Sequence, residues 1–260
     1  MAERATANAP EAPAVVAPDR LRFVLVETSH PGNIGAAARA LKTMGYGELA
    51  LVSPRHFPSA EATVRASGAD DILQRALVFD SLAAAIADCS AVFGTSARSR
   101  SIEWPTYTPW ELASEIAERP AESAAKPVAV VFGRESSGLT NDELMLCSAR
   151  VHIPANPDYS SLNVASAVQI LAYELASHRA RHGGATAPTS DADPRADQDD
   201  MNRFYQHLES VLIEIGYYDP EKPRQLMRRL RRLFNRASLS RSELQILRGV
   251  LVSVERAKRA

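Results

Sequence analysis

The chain has 260 residues, 45% of them hydrophobic and 23% charged, enough for one α/β domain with a sizeable core plus a smaller unit. The formal net charge of -1 names no partner class, yet residues 200–260 hold thirteen Lys/Arg against seven Asp/Glu, an asymmetry that hints at nucleic acid. Two cysteines, Cys89 and Cys147, exclude a disulfide framework, the six histidines lack metal-ligand spacing, and no run reaches the ~20 apolar residues that span a bilayer, so a cytoplasmic protein without metal or membrane anchor is expected.

Residues 1–18 are rich in Ala and Pro with no long apolar run, which predicts a disordered tail rather than a signal peptide. Leu21–Val26 is the first strand. A helix over Asn33–Met44 follows, stopped by Gly45. Leu49–Val52 is a second strand, and Ser59 caps a short helix over Ala60–Ala66. Leu77–Phe79 is a third strand, with Ser81 capping a helix over Leu82–Asp88. Ala91–Gly94 is a fourth, ending in the loop Thr95–Arg100. Thr108-Pro109 opens a helix over Trp110–Glu118. Val128–Phe132 reads as the most buried strand. Thr140 with Glu143 forms a capping box for a helix ending near Cys147. Val151–Ile153 is a short strand, and Asn163–Arg179 a long helix. Alternating strands and helices mean a parallel sheet covered on both faces, with the functional loops at the carboxyl ends of its strands.

Residues 180–199 carry Gly, Pro, Ser and Asp with almost no large apolar side chain and read as a linker. Met201–Ile215 has helical periodicity. Gln225–Phe234 is a helix studded with Arg228, Arg229, Arg231 and Arg232. Ser240 and Glu243 make a second capping box, starting a helix to about Arg256. Such a three-helix appendage is marginal unless it docks or dimerises. The expected domains are 1–18 tail, 19–179 α/β domain, 180–199 linker and 200–260 helical extension.

Three polar loops follow apolar strands: Ser29–Gly35, Gly133–Leu139 and Pro157–Asn163. Each runs into a helix N-terminus, where unpaired backbone N–H groups and short polar side chains can grip a ligand. Gly32 and Gly35 allow a tight turn and a close backbone approach. Arg39 lies on roughly the Gly35 face of the same helix. Gly133-Arg134-Glu135-Ser136-Ser137-Gly138 is out of register for a nucleophile elbow and is no Walker loop; adjacent Arg134 and Glu135 after a buried strand are costly unless paired. The density of polar groups at Tyr159–Asn163 exceeds what a helix cap needs. Trp104, Tyr107 and Trp110 read as packing aromatics.

Taken together, Asn33-x-Gly35-x3-Arg39, Gly133-Arg134-Glu135-x2-Gly138-Leu139 and Asn156-Pro157-x-Tyr159-Ser160-Ser161-Leu162-Asn163 resemble the three motifs of SPOUT-superfamily RNA 2'-O-ribose methyltransferases. The strings Val24–His30, Gly94–Arg100, Leu230–Phe234 and Leu247-Arg248-Gly249 narrow the resemblance to the bacterial TrmJ-type family of tRNA (cytidine/uridine-2'-O-)-methyltransferases. It spans residues 21–256, linker apart.

The resemblance implies a SPOUT fold: a parallel sheet flanked by helices, a C-terminal deep trefoil knot that breaks the usual rule against knotted chains, and a small all-α C-terminal appendage. It implies S-adenosyl-L-methionine held by Thr95, Ser96, Ala97, Gly133, Ile153, Ser160, Ser161 and Leu162. It implies a homodimer in which Arg39 reaches the other subunit's cofactor site, and a tRNA substrate methylated on the 2'-hydroxyl of the first anticodon-loop nucleotide, position 32. Arg39, Asn33, Ser161, Asn163 and Glu135 are then the catalytic set, with Glu135 ordering loops rather than acting as a base. Arg98, Arg100, Arg228, Arg229, Arg231 and Arg232 would meet tRNA. A SPOUT enzyme for ribosomal RNA or another tRNA position, an inactive RNA-binding module and a DNA-binding regulator are the competing readings.

Overall fold

The computed structural model describes residues 20–97, 104–119, 126–182, 193–223 and 225–259. The expectations for Arg98 and Arg100 lie outside these residues. The first half runs β1 (Leu21–Val26), α1 (Pro31–Thr43), β2 (Glu48–Val52), α2 (Ala60–Ala66), α3 (Asp70–Gln74), β3 (Leu77–Phe79), α4 (Leu82–Ala85) and β4 (Ala91–Thr95). It continues with β5 (Thr106–Tyr107), α5 (Pro109–Ala117), β6 (Val128–Phe132), α6 (Asn141–Met145), β7 (Ala149–Val151) and α7 (Val164–His182). The extension holds α8 (Gln198–Glu214), α9 (Leu226–Ala237) and α10 (Arg241–Arg259).

The strands form one seven-stranded sheet in the order β3-β2-β1-β6-β4-β7-β5, every pairing parallel. Both faces are covered, which is why β1 and β6 are buried along their whole length and are apolar apart from Arg22, whose buried guanidinium pairs with Glu48 and Asp88. Phe23, Leu25, Val130 and Phe132 pack toward α1, α5 and α7 on one face; Val24, Val26, Ala129 and Val131 pack toward α4 and α6 on the other. The trefoil knot implied by the resemblance depends on how the chain passes the loop after β4, part of which (98–103) lies outside the described residues; the strand order is compatible with it.

Local signals behave as physical chemistry asks. The Ser59 and Ser81 hydroxyls accept from the backbone N–H of Glu61 and Ala84. Thr108 with Glu111 and Thr140 with Glu143 form complete capping boxes, and Ser240 with Glu243 does the same for α10. Three differences from the sequence reading stand out. Helix α1 starts at Pro31 with His30 as its N-cap, so Asn33 sits in the first turn and its amide is free for longer-range work. β7 lies at Ala149–Val151 rather than Val151–Ile153, because its partners are β4 and the two-residue β5, a strand the sequence reading does not include. Helix α3 was not read; it is a single short turn set after Gly68, with Asp70 and Asp71 at its start.

Gly35 has a specific task. A Cβ there would lie 2.0 Å from the Ala62 carbonyl oxygen and 2.9 Å from the Ala66 nitrogen, so α1 and α2 touch backbone to backbone. Gly35→Ala should therefore destabilise the chain by about 3 kcal/mol, at the upper end of overpacking penalties. A urea midpoint within experimental error of the parent chain would contradict this contact.

The extension docks on the sheet body. Backbone N–H groups of Gln198 and Asp199 donate to the carbonyls of Cys89 (3.2 Å) and Ala87 (3.2 Å), and Asn235 Nδ2 donates to the Cys147 carbonyl at 3.3 Å. Lys126 pairs with Asp197, and Arg228 with Asp142 at 3.4 Å. Phe204, Tyr205, Leu208, Leu244 and Leu251 give the extension its own small core. The stretch read as a linker is partly structured. Helix α7 extends to His182, Asp197 caps α8, and Ala196 N–H donates to Leu239 O at 2.9 Å. Among the described residues no helix is long and apolar enough to cross a membrane.

Candidate active site

Because all strands run the same way, the loops after β1, β4, β6 and β7 converge on one edge of the sheet. Those after β4, β6 and β7 line a cleft of about 210 Å³. All eight residues expected to hold the cofactor line it: Thr95, Ser96, Ala97, Gly133, Ile153, Ser160, Ser161 and Leu162. Phe132, Val151, Val164 and Ala167 add an apolar wall, and Ser136, Ser137 and Gly138 a polar one.

The cleft is shaped by backbone as much as by side chains. The Gly133–Gly138 loop folds back on itself: Arg134 N–H donates to Gly138 O at 3.3 Å, and Gly138 N–H to Arg134 O at 2.9 Å. A Cβ on Gly133 would sit 2.1 Å from the Gly138 carbonyl carbon. Gly138 itself has φ +70, the left-handed region where glycine is unstrained. The Thr95 hydroxyl donates to Val131 O at 3.0 Å, and Ser96 N–H to Val151 O at 3.0 Å, which ties the β4 loop to its neighbours. Asn156 accepts from Asp158 N–H at 3.0 Å and turns the chain ahead of Tyr159, which is 80% exposed.

Glu135 joins the three polar loops. Its carboxylate accepts from the Ser29 N–H (3.2 Å), the Ser29 hydroxyl (3.0 Å), the His30 N–H (3.3 Å) and Asn33 Nδ2 (3.0 Å). Asn33 Oδ1 in turn accepts from Asn163 Nδ2 at 3.0 Å, while Asn163 Oδ1 caps α7 by accepting from Ala165 N–H at 2.9 Å. Burial pushes the Glu135 carboxyl up, but hydrogen bonds from Asn33 and from backbone N–H groups, Ser29 and His30 among them, outweigh it and hold the group below its ordinary value of 4.5. Glu135 is thus an ionised tie between loops, with its lone pairs already committed.

Arg134 does not pair with Glu135. It forks onto Glu27 and Glu143, with 2.9 Å contacts to each. Sequence reasoning missed both carboxylates. The sequence marks Glu143 only as a capping residue, and Glu27 turns toward Arg134 through a left-handed backbone (φ +46) at the end of β1, which no local pattern announces.

Arg39 is exposed on α1 and does not line the cleft of its own chain; among the described residues no hydrogen-bond or ion-pair partner engages its guanidinium. Arg231 stacks over the Tyr205 ring at 4.5 Å and is half-buried, and Arg228 holds Asp142, so both have structural partners. Arg229 is exposed and Arg232 half-buried. No group of three or more His, Cys, Asp or Glu gathers to hold a metal among the described residues.

Comparison with known proteins decides the family. The profile of the SpoU rRNA Methylase family matches residues 20–173, and that of the tRNA methyltransferase TrmJ C-terminal domain matches residues 199–260. A TrmJ of Pseudomonas aeruginosa, named as a tRNA (cytidine/uridine/adenosine-2'-O-)-methyltransferase, is 50% identical over 93% of this chain and 96% of its own length. The chain belongs to the SpoU methylase family, as a TrmJ-type tRNA 2'-O-methyltransferase. The TrmJ of Pectobacterium atrosepticum is 49% identical over 92% of this chain and 98% of its own. Crystalline TrmJ from Z. mobilis superposes with a TM-score of 0.77 at 36% identity, covering 90% of this chain and 98% of that one. The TrmJ-type fold expected from the motifs, with its parallel sheet and C-terminal helices, is the fold observed.

Proposed function

We propose that this chain, as a cytoplasmic homodimer, transfers a methyl group from S-adenosylmethionine to the 2'-hydroxyl of tRNA position 32, on cytidine or uridine. The observation that carries this reading is the cleft at the strand ends, which gathers all eight expected cofactor residues beside the Glu135–Asn33–Asn163 tie. Its chemistry fits the donor. Phe132, Val151, Ile153 and Leu162 offer apolar surface to a nucleoside, and Ser160, Ser161 and the backbone of the Gly133 loop offer donors to an amino acid carboxylate. Glu135, the acid in the lining, is already engaged by Ser29, His30 and Asn33.

The bound donor supplies an electrophilic methyl on a sulfonium, so the chain's own task is positioning. The ribose oxygen forms the new O–CH₃ bond as the S–CH₃ bond breaks, and its proton leaves to water. Arg39, supplied by the partner subunit, holds the developing alkoxide and the adjacent phosphate; a guanidinium, a planar donor that stays cationic, is suited to that and not to proton abstraction. Ser161 and Asn163 fix the loop against the ribose. Arg98 and Arg100, with Arg229 and Arg232, grip the tRNA backbone, which makes affinity salt-dependent; Arg228 and Arg231 contribute through their packing.

Arg39→Ala should lower turnover by roughly two to three orders of magnitude with cofactor affinity unchanged, as removal of an oxyanion donor does. Arg39→Lys should recover only part of this, and full recovery would show that the planar fork is immaterial. Mixing Arg39→Ala with a variant whose cleft is closed should restore activity, to about a quarter of wild type if subunits exchange at random, because one site in each mixed dimer is whole. No restoration would overturn the shared-site reading. Position is tested by mapping ribose methylation on tRNA from cells lacking the protein: loss at position 32 supports the assignment, and loss at the wobble nucleotide or in ribosomal RNA replaces it.

A further inference from the structure

The strand ends opposite the cleft hold a second cavity, of about 30 Å³, where the extension meets the sheet. Ser90 and Ser148, just ahead of β4 and β7, form its floor, and Arg195, Gln198 and Asn235 come from the extension side. None of its lining residues belongs to the methyl-transfer cleft. Its lining includes two arginines and, among the described residues, no carboxylate.

Arg119 is 6% exposed. Its guanidinium donates to Ser90 O at 3.2 Å and reaches Glu115 at 3.4 Å, but its Nε is buried with no partner. Glu115 is shared with the Tyr107 hydroxyl, also at 3.4 Å. Arg195 is half-buried, and no hydrogen-bond or ion-pair partner engages its guanidinium among the described residues. Burial, and then the charge of Arg195, pull Arg119 down to about 10. Ser148 Oγ accepts from Val92 N–H and from Gln198 Nε2, both at 3.4 Å, so the hydroxyl has a proton of its own to donate. Glu115 supplies Arg119 with a counter-charge, but the buried Nε donor still lacks an acceptor, and Arg195 brings a second cation with no carboxylate in the cavity lining; an unpaired buried donor beside a polar space calls for an acceptor.

We infer that this cavity is a small-anion site, in which one inorganic anion held between Arg119 and Arg195 pins the helical extension to the methyltransferase body. The space exceeds what one water needs, and both units contribute donor-bearing side chains to its lining. A halide and an oxyanion such as phosphate share the chemistry that guanidinium groups recognise.

The test uses the full chain in sodium gluconate, chloride or phosphate at matched ionic strength. With chloride or phosphate at about ten times its dissociation constant, the melting midpoint should rise saturably by roughly 3 °C over gluconate. Arg195→Gln should fold, since that side chain is half-exposed and unpaired, and should lose the rise; Arg119→Gln is the second variant. A crystal soaked in bromide should show an anomalous peak between the two arginines. A rise with chloride alone or with phosphate alone supports the site and identifies the anion. Equal midpoints in all three salts, an equal rise in Arg195→Gln, or only water at this place in a crystal soaked with the anion that raises the midpoint (bromide standing for chloride) would overturn it.

Discussion

Replacing Glu135 with alanine is expected to cut methyl transfer by roughly a hundredfold while leaving the sheet folded. The carboxylate collects donors from Ser29, His30 and Asn33, and Asn33 passes the constraint to Asn163 at the head of α7. Hydrogen bonds to a charged group contribute about 1.5–3 kcal/mol each. Losing even two, with the others stranded, removes about 3 kcal/mol of loop order, and each 1.4 kcal/mol is about tenfold in rate. The loss should appear in single-turnover rates and in weaker binding of S-adenosylhomocysteine, since the same loops form the cleft. The pH dependence follows from the direction of the Glu135 shift. A folded-state value held below the ordinary 4.5 means that the stabilisation is complete above 4.5 and is lost as pH falls through the lower, folded value. Cofactor binding in the parent chain should thus show no titration from Glu135 across the neutral range. Protection of the Ser29 and His30 amides should fall only in acid, and should be low at every pH in Glu135→Ala. A rate within about threefold of the parent enzyme would show that the loops are ordered by something else.

Gly133→Ala should be more damaging than its size suggests. The added carbon would lie 2.1 Å from the Gly138 carbonyl carbon and 2.2 Å from the Leu139 nitrogen, both backbone atoms. The loop must open, which breaks the two hydrogen bonds between Arg134 and Gly138 and displaces Leu139 from the core beneath. A stability loss of about 3 kcal/mol is expected. Loss of the two backbone hydrogen bonds that shape the cleft wall should also weaken S-adenosylhomocysteine roughly a hundredfold. Gly138→Ala is the control. A Cβ there meets nothing within 4 Å, and only the left-handed backbone is strained, at about 1 kcal/mol. Urea unfolding and calorimetric titration of both variants separate collision from strain. Equal behaviour of the two would remove the close-approach argument.

The residues themselves announced much of this. β6 was readable to the residue because a strand buried on both faces is an uninterrupted apolar run between polar turns; β1 differs only by Arg22, and the exposed edge strand β3 shows as a short apolar triplet. The capping pairs Thr140–Glu143 and Ser240–Glu243 mark their helices with local chemistry alone. The cleft was legible as three polar loops placed after strands, and a parallel sheet brings such loops together. What stayed hidden depends on long-range partners. β5 has two residues and exists through its pairing with β7, so nothing within Thr106-Tyr107 marks it as a strand. Arg134 meets Glu27 across 107 positions of sequence. Arg231 reads as one more cation in an RNA-facing run until the ring of Tyr205 is seen beneath it. The docking of Gln198 and Asp199 onto Cys89 and Ala87 uses backbone groups, which carry no residue-type signal at all.

The most direct measurement incubates the full chain with methyl-labelled S-adenosylmethionine and tRNA lacking ribose methylation, followed by alkaline hydrolysis. The account predicts label in alkali-resistant dinucleotides, because a methylated 2'-oxygen cannot attack the neighbouring phosphate. Label recovered on bases in alkali-labile nucleotides, or no transfer to tRNA while the chain still binds S-adenosylhomocysteine, would contradict it.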